Sequence, residues 1–142
     1  MPEPMSLARQ HEFLAEGART AILVTMRSSG RPHAVPVWYA LDGSDIVLFT
    51  GAATVKGRAL QANPLVTVVV DDDRPPYSFV SVEGTAELST DPAELRRCVE
   101  LIANRYLPPD QAAGFVEYGT GPGNLLVRVR PTHVIAQDRV AG

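Results

Sequence analysis

The sequence predicts a mainly β protein, a small β-barrel or strongly curved sheet with a few helices. Three observations predict it. Short β-branched and apolar runs recur along the chain, separated by Gly, Pro, Asn and Asp turn signals. The connections between the first of these runs are too short for parallel crossovers, so the strands pair antiparallel and a doubly wound α/β fold is excluded. Hydrophobic residues make up 45% of the 142 positions and charged ones 20%, the balance of an ordinary globular domain. With no internal repeat, charge block or low-complexity linker, residues 1–142 read as a single domain.

Each element has its own signal. Ser6 can cap a first helix over Leu7 to about Gly17, with Leu7, His11, Leu14 and Ala18 on one stripe. Thr20 to Arg27 (TAILVTMR) is the first strand and ends at the Ser28-Ser29-Gly30 turn. Pro32 to Leu41 (PHAVPVWYAL) reads as the returning strand, followed by a tight turn at Asp42-Gly43. Ile46 to Thr50 (IVLFT) is the third strand, and the three form an antiparallel meander. Thr54 can cap a short helix from Val55 to about Ala62, which Asn63-Pro64 stops. Leu65 to Asp71 (LVTVVVD) is almost continuously apolar and is expected to be buried on both faces.

After a polar, Pro-rich loop from Asp72 to Pro76, Ser78 to Leu88 (SFVSVEGTAEL) forms a fifth strand. It sets Phe79, Ser81 and Glu83 opposite Val80 and Val82, and Gly84 inside it marks a bulge or a close backbone contact. Asp91-Pro92-Ala93-Glu94 carries an N-cap, a proline at the first helical position and a capping-box acid. The helix runs to about Tyr106, buries Leu95, Cys98, Val99, Ile102 and Tyr106, and ends at Pro108-Pro109. A short helix from Asp110 to Tyr118, a Gly-rich loop (GTGPGN) and two final strands, Leu125 to Val129 and His133 to Asp138, complete the chain.

Composition excludes several functions. No apolar run approaches the roughly 20 residues that cross a bilayer. The N-terminus lacks the apolar stretch of a signal peptide, and the single Cys98 has no internal partner, so a cytoplasmic location is expected. A net charge of −3 argues against a nucleic-acid partner, which needs a basic face. His11, His33 and His133 lie far apart without acidic or cysteine neighbours at ligand spacing, so no metal site is expected. Asp71-Asp72-Asp73 reads as a solvated strand end and Cys98 as an inert core residue. Serine-nucleophile elbows, Walker loops and GxGxxG turns are absent.

The positive signal is Thr50-Gly51-Ala52-Ala53-Thr54-Val55-Lys56-Gly57-Arg58. Small residues let a ligand approach the backbone, two threonines offer hydroxyls, the helix start offers free N–H groups, and Lys56 and Arg58 add positive charge. The combination suits a phosphate or a carboxylate. Lys56 is the one lysine beside 12 arginines, either placed where arginine will not serve or left there by chance.

The succession GRPHAVPVWYALDG, VLFTGAATVKGRAL and NPLVTVVVDDDRPPYSFVSVEGTAEL resembles the flavin- and deazaflavin-binding split-barrel proteins, relatives of pyridoxamine 5′-phosphate oxidase. It is most similar to their coenzyme F420-dependent branch. The likeness covers roughly Ala18 to Leu88 well and the last third loosely, and it rests on the order and spacing of four motifs. It implies an FMN-binding split β-barrel fold and a homodimer with two cofactor sites at the subunit interface.

On that resemblance, Thr50, Lys56 and Arg58 contact the cofactor phosphate with backbone help from Gly51, Ala52, Ala53 and Thr54, and Pro36, Val37 and Trp38 lie along the tricyclic ring. Pro36 cannot donate to a sheet ladder, which itself marks an edge or gap; for Trp38 plain core packing is the competing reading. Arg74, Tyr77 and Ser78 reach the site from the partner subunit. Tyr77 either stacks on the ring, faces the substrate and supplies a proton, or simply packs between loop and strand. His33 faces either the cleft or solvent.

The implied cofactor is coenzyme F420, with FMN as the alternative; Arg27 and Arg31 could line a groove for the anionic F420 tail. The implied activity is hydride transfer to an electron-poor double bond in a small-molecule substrate. An FMN-dependent enzyme or electron carrier, and a non-catalytic cofactor-binding module, are the rival readings. The C-terminal extension that holds substrate phosphate in pyridoxamine phosphate oxidases is not seen after RVRPTHVIAQDRVAG, so oxidation of pyridoxamine phosphate is not expected. The acceptor is not named by the sequence, and the loop from Gly119 to Asn124 is expected at the pocket or the dimer seam.

Overall fold

A computed structural model describes residues 2–141. The elements are β1 (Glu3–Pro4), α1 (Leu7–Ala15), β2 (Ala21–Met26), β3 (Pro32–Val37), β4 (Ala40–Asp42), β5 (Asp45–Gly51), α2 (Val55–Ala62), β6 (Leu65–Asp72), β7 (Ser78–Ser89), α3 (Pro92–Tyr106), α4 (Pro109–Gly119) and β8 (Asn124–Asp138). All strand pairs are antiparallel, in the order β3-β2-β6-β7-β8-β5-β4, with β1 added alongside β8.

The order explains the split barrel. β3 and β4 lie at opposite ends of it, yet only Trp38 and Tyr39 separate them in sequence. The chain therefore steps from one edge of the curled sheet to the other, closing the barrel covalently rather than by a full ladder. The expected single strand from Pro32 to Leu41 is thus two. Pro36, which has no N–H to give, sits in the last turn of the pleat before the step. The first three expected strands pair as hairpins, β2 with β3 and β4 with β5, but three other strands stand between them in the sheet.

The step is anchored from α3. The Arg105 guanidinium donates to the Tyr39 carbonyl at 3.0 Å and to the Leu14 carbonyl at 2.9 Å, and it lies 4.3 Å from the centroid of the Tyr39 ring. Tyr39 is fully buried, and its hydroxyl donates to the Leu14 carbonyl at 2.7 Å. The Tyr106 hydroxyl accepts from the Tyr39 amide and donates to the Arg19 carbonyl at 2.7 Å. Every polar atom drawn inward here has a partner, which is the condition for burying it.

Two apolar cores flank the sheet. One fills the barrel, with Leu23, Val68, Val70, Val80, Val82, Ile46, Leu48, Val127 and Val129 among its members. The other lies outside it, under α3 and α4, where Val47, Leu126 and Ala40 meet Leu95, Cys98, Val99 and Ile102. The strand buried on both faces is consequently β5, with Ile46, Val47 and Leu48 all buried. β6, for which double burial was expected, buries only Val66, Val68 and Val70 within this chain and turns Leu65, Thr67 and Val69 outward. Among the described residues no helix covers its outer face.

Smaller expectations fare variously. Ser6 and Thr54 accept hydrogen bonds from the Arg9 and Gly57 amides, as N-caps should. In α1, however, the buried residues are Phe13 and Leu14, and Leu7 is exposed, because only the second half of the helix rests on the barrel end. Asp91 precedes α3 without a side-chain cap, and its backbone amide, which Glu94 would take in a capping box, donates instead to the Ser89 hydroxyl at 3.1 Å while Glu94 accepts from Arg128 at 3.2 Å. The two expected final strands are one 15-residue strand, β8, that continues through an irregularity opposite Glu83-Gly84. A Cβ on Gly84 would lie 2.7 Å from the Arg130 carbonyl oxygen, so the bulge and the close approach expected of this glycine occur together.

Candidate functional site

The end of β5, the α2 start and the β3–β4 step converge on one cleft of about 430 Å³. It is lined by Thr20, Pro36, Val37, Trp38, Phe49, Lys56, Phe115 and Tyr118. The segment singled out for a ring and the lysine singled out for a phosphate, which lie about twenty residues apart in sequence, are therefore neighbours in space.

The turn that presents Lys56 is built from its own side chains. The Thr54 hydroxyl donates to the Gly51 carbonyl at 2.8 Å, accepts from the Gly57 amide at 3.1 Å and lies 3.1 Å from the Thr50 hydroxyl. Gln61 reaches back one helical turn to donate to the carbonyls of Ala52 and Gly57, both at 2.9 Å. The Ala52 amide donates to the Gly123 carbonyl at 2.8 Å, tying in the Gly-rich loop. A Cβ on Gly57 would fall 2.1 Å from the Gly51 carbonyl oxygen. Gly57 thus lets the helix, rather than a ligand, come close to the strand end.

In the first turn of α2 the amides of Thr54 and Gly57 are used, leaving those of Val55 and Lys56 as open donors. Ion pairs among the described residues engage arginines from Arg9 to Arg139 but neither Lys56 nor Arg58. Open amides at a helix N-terminus with two uncommitted cations form a donor set suited to an anion such as phosphate. Thr50 differs from expectation: it is 3% exposed with its hydroxyl shared with Thr54, so it props the turn instead of facing the cleft. Ala53 and Arg58 are exposed, and Gly51 and Ala52 half-buried.

The opposite wall is aromatic. Trp38 stacks on Tyr106 with centroids 4.7 Å apart and planes 2° from parallel. It meets Phe115 at 5.5 Å, Phe115 meets Phe49 at 5.5 Å, and Tyr118 joins both at 6.3–6.5 Å. Trp38 is thus both packed and open, with 37% of its surface exposed, and Tyr118 is 72% exposed. Phe49, Phe115 and Tyr118 were not foreseen. Their signal was present: Phe115 and Tyr118 are three apart on α4, so they share a helix face, and Phe49 alternates with Leu48 on a strand covered by helices.

The third group of expected residues does not line this cleft. The Arg74 guanidinium grips Asp72 through two bonds of 2.9 and 3.0 Å, and this pairing holds the Asp72 carboxyl well below the usual carboxylate range. Tyr77 has φ of +65° and is 41% exposed. The Ser78 hydroxyl donates to Asp138 at 2.8 Å, and Asp138 also accepts from Arg9. Arg27 donates to His33 Nδ1 at 3.0 Å at the β2–β3 turn, and Arg31 is exposed beside it. Ala52 and residues 120–124 of the Gly-rich loop line a second hollow of about 300 Å³.

The sequence pattern of the family described as pyridoxamine 5′-phosphate oxidase matches residues 7–138. The chain belongs to that family. Among solved structures, this family member is similar to a conserved hypothetical protein from Mycobacterium tuberculosis, at 28% identity and a TM-score of 0.84 over 96% of this chain and 86% of that one. It is similar to an F420 reductase, at 28% identity and a TM-score of 0.65 over 87% of this chain and 94% of that one. A FAD-binding protein from Mesorhizobium loti shares the fold at 20% identity and a TM-score of 0.73 over 96% and 97%. No curated protein matches the sequence. The split-barrel architecture expected from the motifs is that of the pyridoxamine 5′-phosphate oxidase-like proteins.

Proposed function

We propose that this family member is an F420-dependent reductase acting on a small organic acceptor with an electron-poor double bond. The observation that carries the reading is the single cleft that joins the uncommitted Lys56, in the first turn of α2, to the exposed face of Trp38. Similarity to an F420 reductase across nearly its whole length supports the choice of cofactor. When bound, the deazaflavin supplies a hydride from its C5 position, and its lack of N5 restricts it to two-electron chemistry. Everything else is the work of the chain.

Lys56, Arg58 and the amides of Val55 and Lys56 hold the phosphate, and Gly51 to Thr54 shape the turn that aims them. Pro36, Val37 and Trp38 provide a flat edge along which the ring lies, free of a competing amide at Pro36. Trp38 keeps its orientation because Tyr106 stacks behind it and Arg105 fixes the neighbouring Tyr39 carbonyl.

The functional unit is a homodimer. One cross-strand row on the outer face, Ile22, Val69, Ser81 and Ile135, runs over four strands, and Ile22, Met26, Leu65 and Ile135 expose between 38% and 63% of their surface there. Apolar surface of this extent on an uncovered sheet favours association. Arg74, Tyr77 and Ser78 then serve the partner's cleft, with Tyr77 or water giving the proton to the reduced acceptor.

The test is turnover: reduced F420 is mixed anaerobically with an enone or quinone, and oxidised deazaflavin fluorescence is followed. Recovery at a rate proportional to protein supports the reductase. Tight binding of F420 without turnover of any acceptor refutes it and leaves a cofactor-binding module.

A further inference from the structure

Between α1 and the end of the barrel lies a cavity of about 260 Å³ that shares no lining residue with the Trp38 cleft. Its walls are aliphatic: Leu7 and Leu14 from α1, Leu41 and Ile46 from the β4–β5 hairpin, Val82 from β7 and Val134 from β8. No Phe, Tyr or Trp lines it, whereas four such residues line the cleft. Leu7, with 83% of its surface exposed, stands at the open side, and the buried Ile46 and Val82 form the floor.

The cavity cannot close by collapse, because α1 is pinned over it at both ends. At its start the Met5 amide donates to the Ala136 carbonyl and Arg9 donates to Asp138, both at 3.0 Å. At its far end the Leu14 carbonyl accepts from the Tyr39 hydroxyl at 2.7 Å and from Arg105 at 2.9 Å. The mouth is polar. Gln10 is engaged in donating to the Met5 carbonyl at 3.2 Å, which leaves the exposed His11 and Ser44 as the donors there. The neighbouring acids are compensated: Glu12 pairs with Arg9, Asp42 with Arg97 and Arg128, and Asp45 with Arg128 and Arg130.

We infer that this cavity binds the chain of a free, medium-chain aliphatic carboxylate, with the head group at His11 and Ser44. Aliphatic walls give water no hydrogen-bond partner and give a saturated chain apolar contact along its length. At the roughly 30 Å³ that a water-sized group occupies, the volume holds about eight or nine non-hydrogen atoms. That is a chain near octanoate and well short of a bilayer lipid's. Two donors with no uncompensated acid beside them favour an acceptor head, and a carboxylate accepts most strongly. The site stands whether or not the Trp38 cleft takes F420.

The purified full chain is titrated calorimetrically with hexanoate, octanoate, dodecanoate and octylammonium, each below its micellar concentration. One octanoate per chain is expected, bound about tenfold more tightly than hexanoate, within about threefold of dodecanoate, and at least about tenfold more tightly than octylammonium. Leu7→Ser, at an exposed rim position, should weaken octanoate about three- to tenfold without lowering the melting temperature. Val134→Phe, which fills the cavity, should abolish binding, and Lys56→Ala should leave it unchanged. Absence of saturable binding, affinity that keeps climbing through dodecanoate, or equal affinity for octylammonium would each overturn the site. So would octanoate binding that is lost in Lys56→Ala and kept in Leu7→Ser, which would place the acid in the Trp38 cleft. If Val134→Phe does not fold, the Leu7→Ser and Lys56→Ala pair decides alone.

Discussion

Gly57→Ala separates this structure from ordinary helix arithmetic. In an exposed helix the change stabilises by up to about 1 kcal/mol, because alanine restricts the unfolded chain and favours the helix. Here the added methyl would sit 2.1 Å from the Gly51 carbonyl oxygen and 3.1 Å from the Ala52 carbonyl, both backbone atoms that no rotamer change can clear. The α2 start must retreat from the strand end by about 1 Å, breaking the Thr54–Gly51 and Gln61–Ala52 hydrogen bonds that hold the turn. Overpacking of this kind costs about 1–3 kcal/mol, more than the helical gain. A net loss near 1–2 kcal/mol lowers the melting temperature by about 3–8 °C in a domain of this size. The same retreat withdraws the Val55 and Lys56 amides, so phosphate-dependent cofactor affinity falls at least about tenfold. Differential scanning fluorimetry and a cofactor titration on one preparation test both. A variant that melts at or above the parent temperature with undiminished affinity would refute the close approach and the role given to the turn.

Two other predictions concern parts remote from the cleft. Asp42 accepts from Arg97 at 2.8 Å and Arg128 at 2.9 Å, which lowers its pKa from 3.8 to about 2. A depressed carboxyl pKa stabilises the fold above the unfolded value and loses that contribution as pH falls toward the folded one. Asp42→Asn should cost about 1 kcal/mol near neutrality, after discounting for the half-exposed Arg97, with the gap to the parent closing between pH 4 and pH 2 in acid titrations followed by circular dichroism. Cys98 is buried among Val99, Ile102 and Leu126, and burial pushes its thiol pKa up. It should resist a disulfide-exchange reagent in the native protein and react fully in denaturant; fast native reaction would mean that α3 does not seal the outer core.

What could be read from the sequence was what neighbouring residues decide among themselves. The Ser6 and Thr54 caps and the Asp42-Gly43 turn are local events, and the residues that make them lie within a few positions of one another; the bulge at Gly84 showed only as a glycine inside a strand pattern, its partner Arg130 lying in the last strand. The Lys56 turn was legible for the same reason, although Thr50 and Gly57 proved to serve the turn's own packing. The step at Trp38-Tyr39 was not legible, because a strand that changes edge keeps the composition of one that continues. The Arg105 and Tyr106 anchors, more than sixty residues on, distinguish the two. Likewise IVLF and VTVVV look equally fit for double burial; α3 covers the first, and no element among the described residues covers the second. Asp91 lost its capping box to Ser89, which accepts from its amide, and to Arg128, a competitor contributed by the last strand. The aromatic wall needed α4 to dock beside β5, which no spacing within either element announces.

The central claim is that the Lys56 turn and the Trp38 cleft together hold coenzyme F420. Its most direct test is a fluorescence titration of the purified protein with F420 and, in parallel, FMN, each repeated on Lys56→Ala. The account predicts saturable F420 binding at least about tenfold tighter than FMN, falling by about tenfold or more when Lys56 is removed. Preference for FMN would place the protein among the flavin users of its family, and binding indifferent to Lys56 would contradict the site itself.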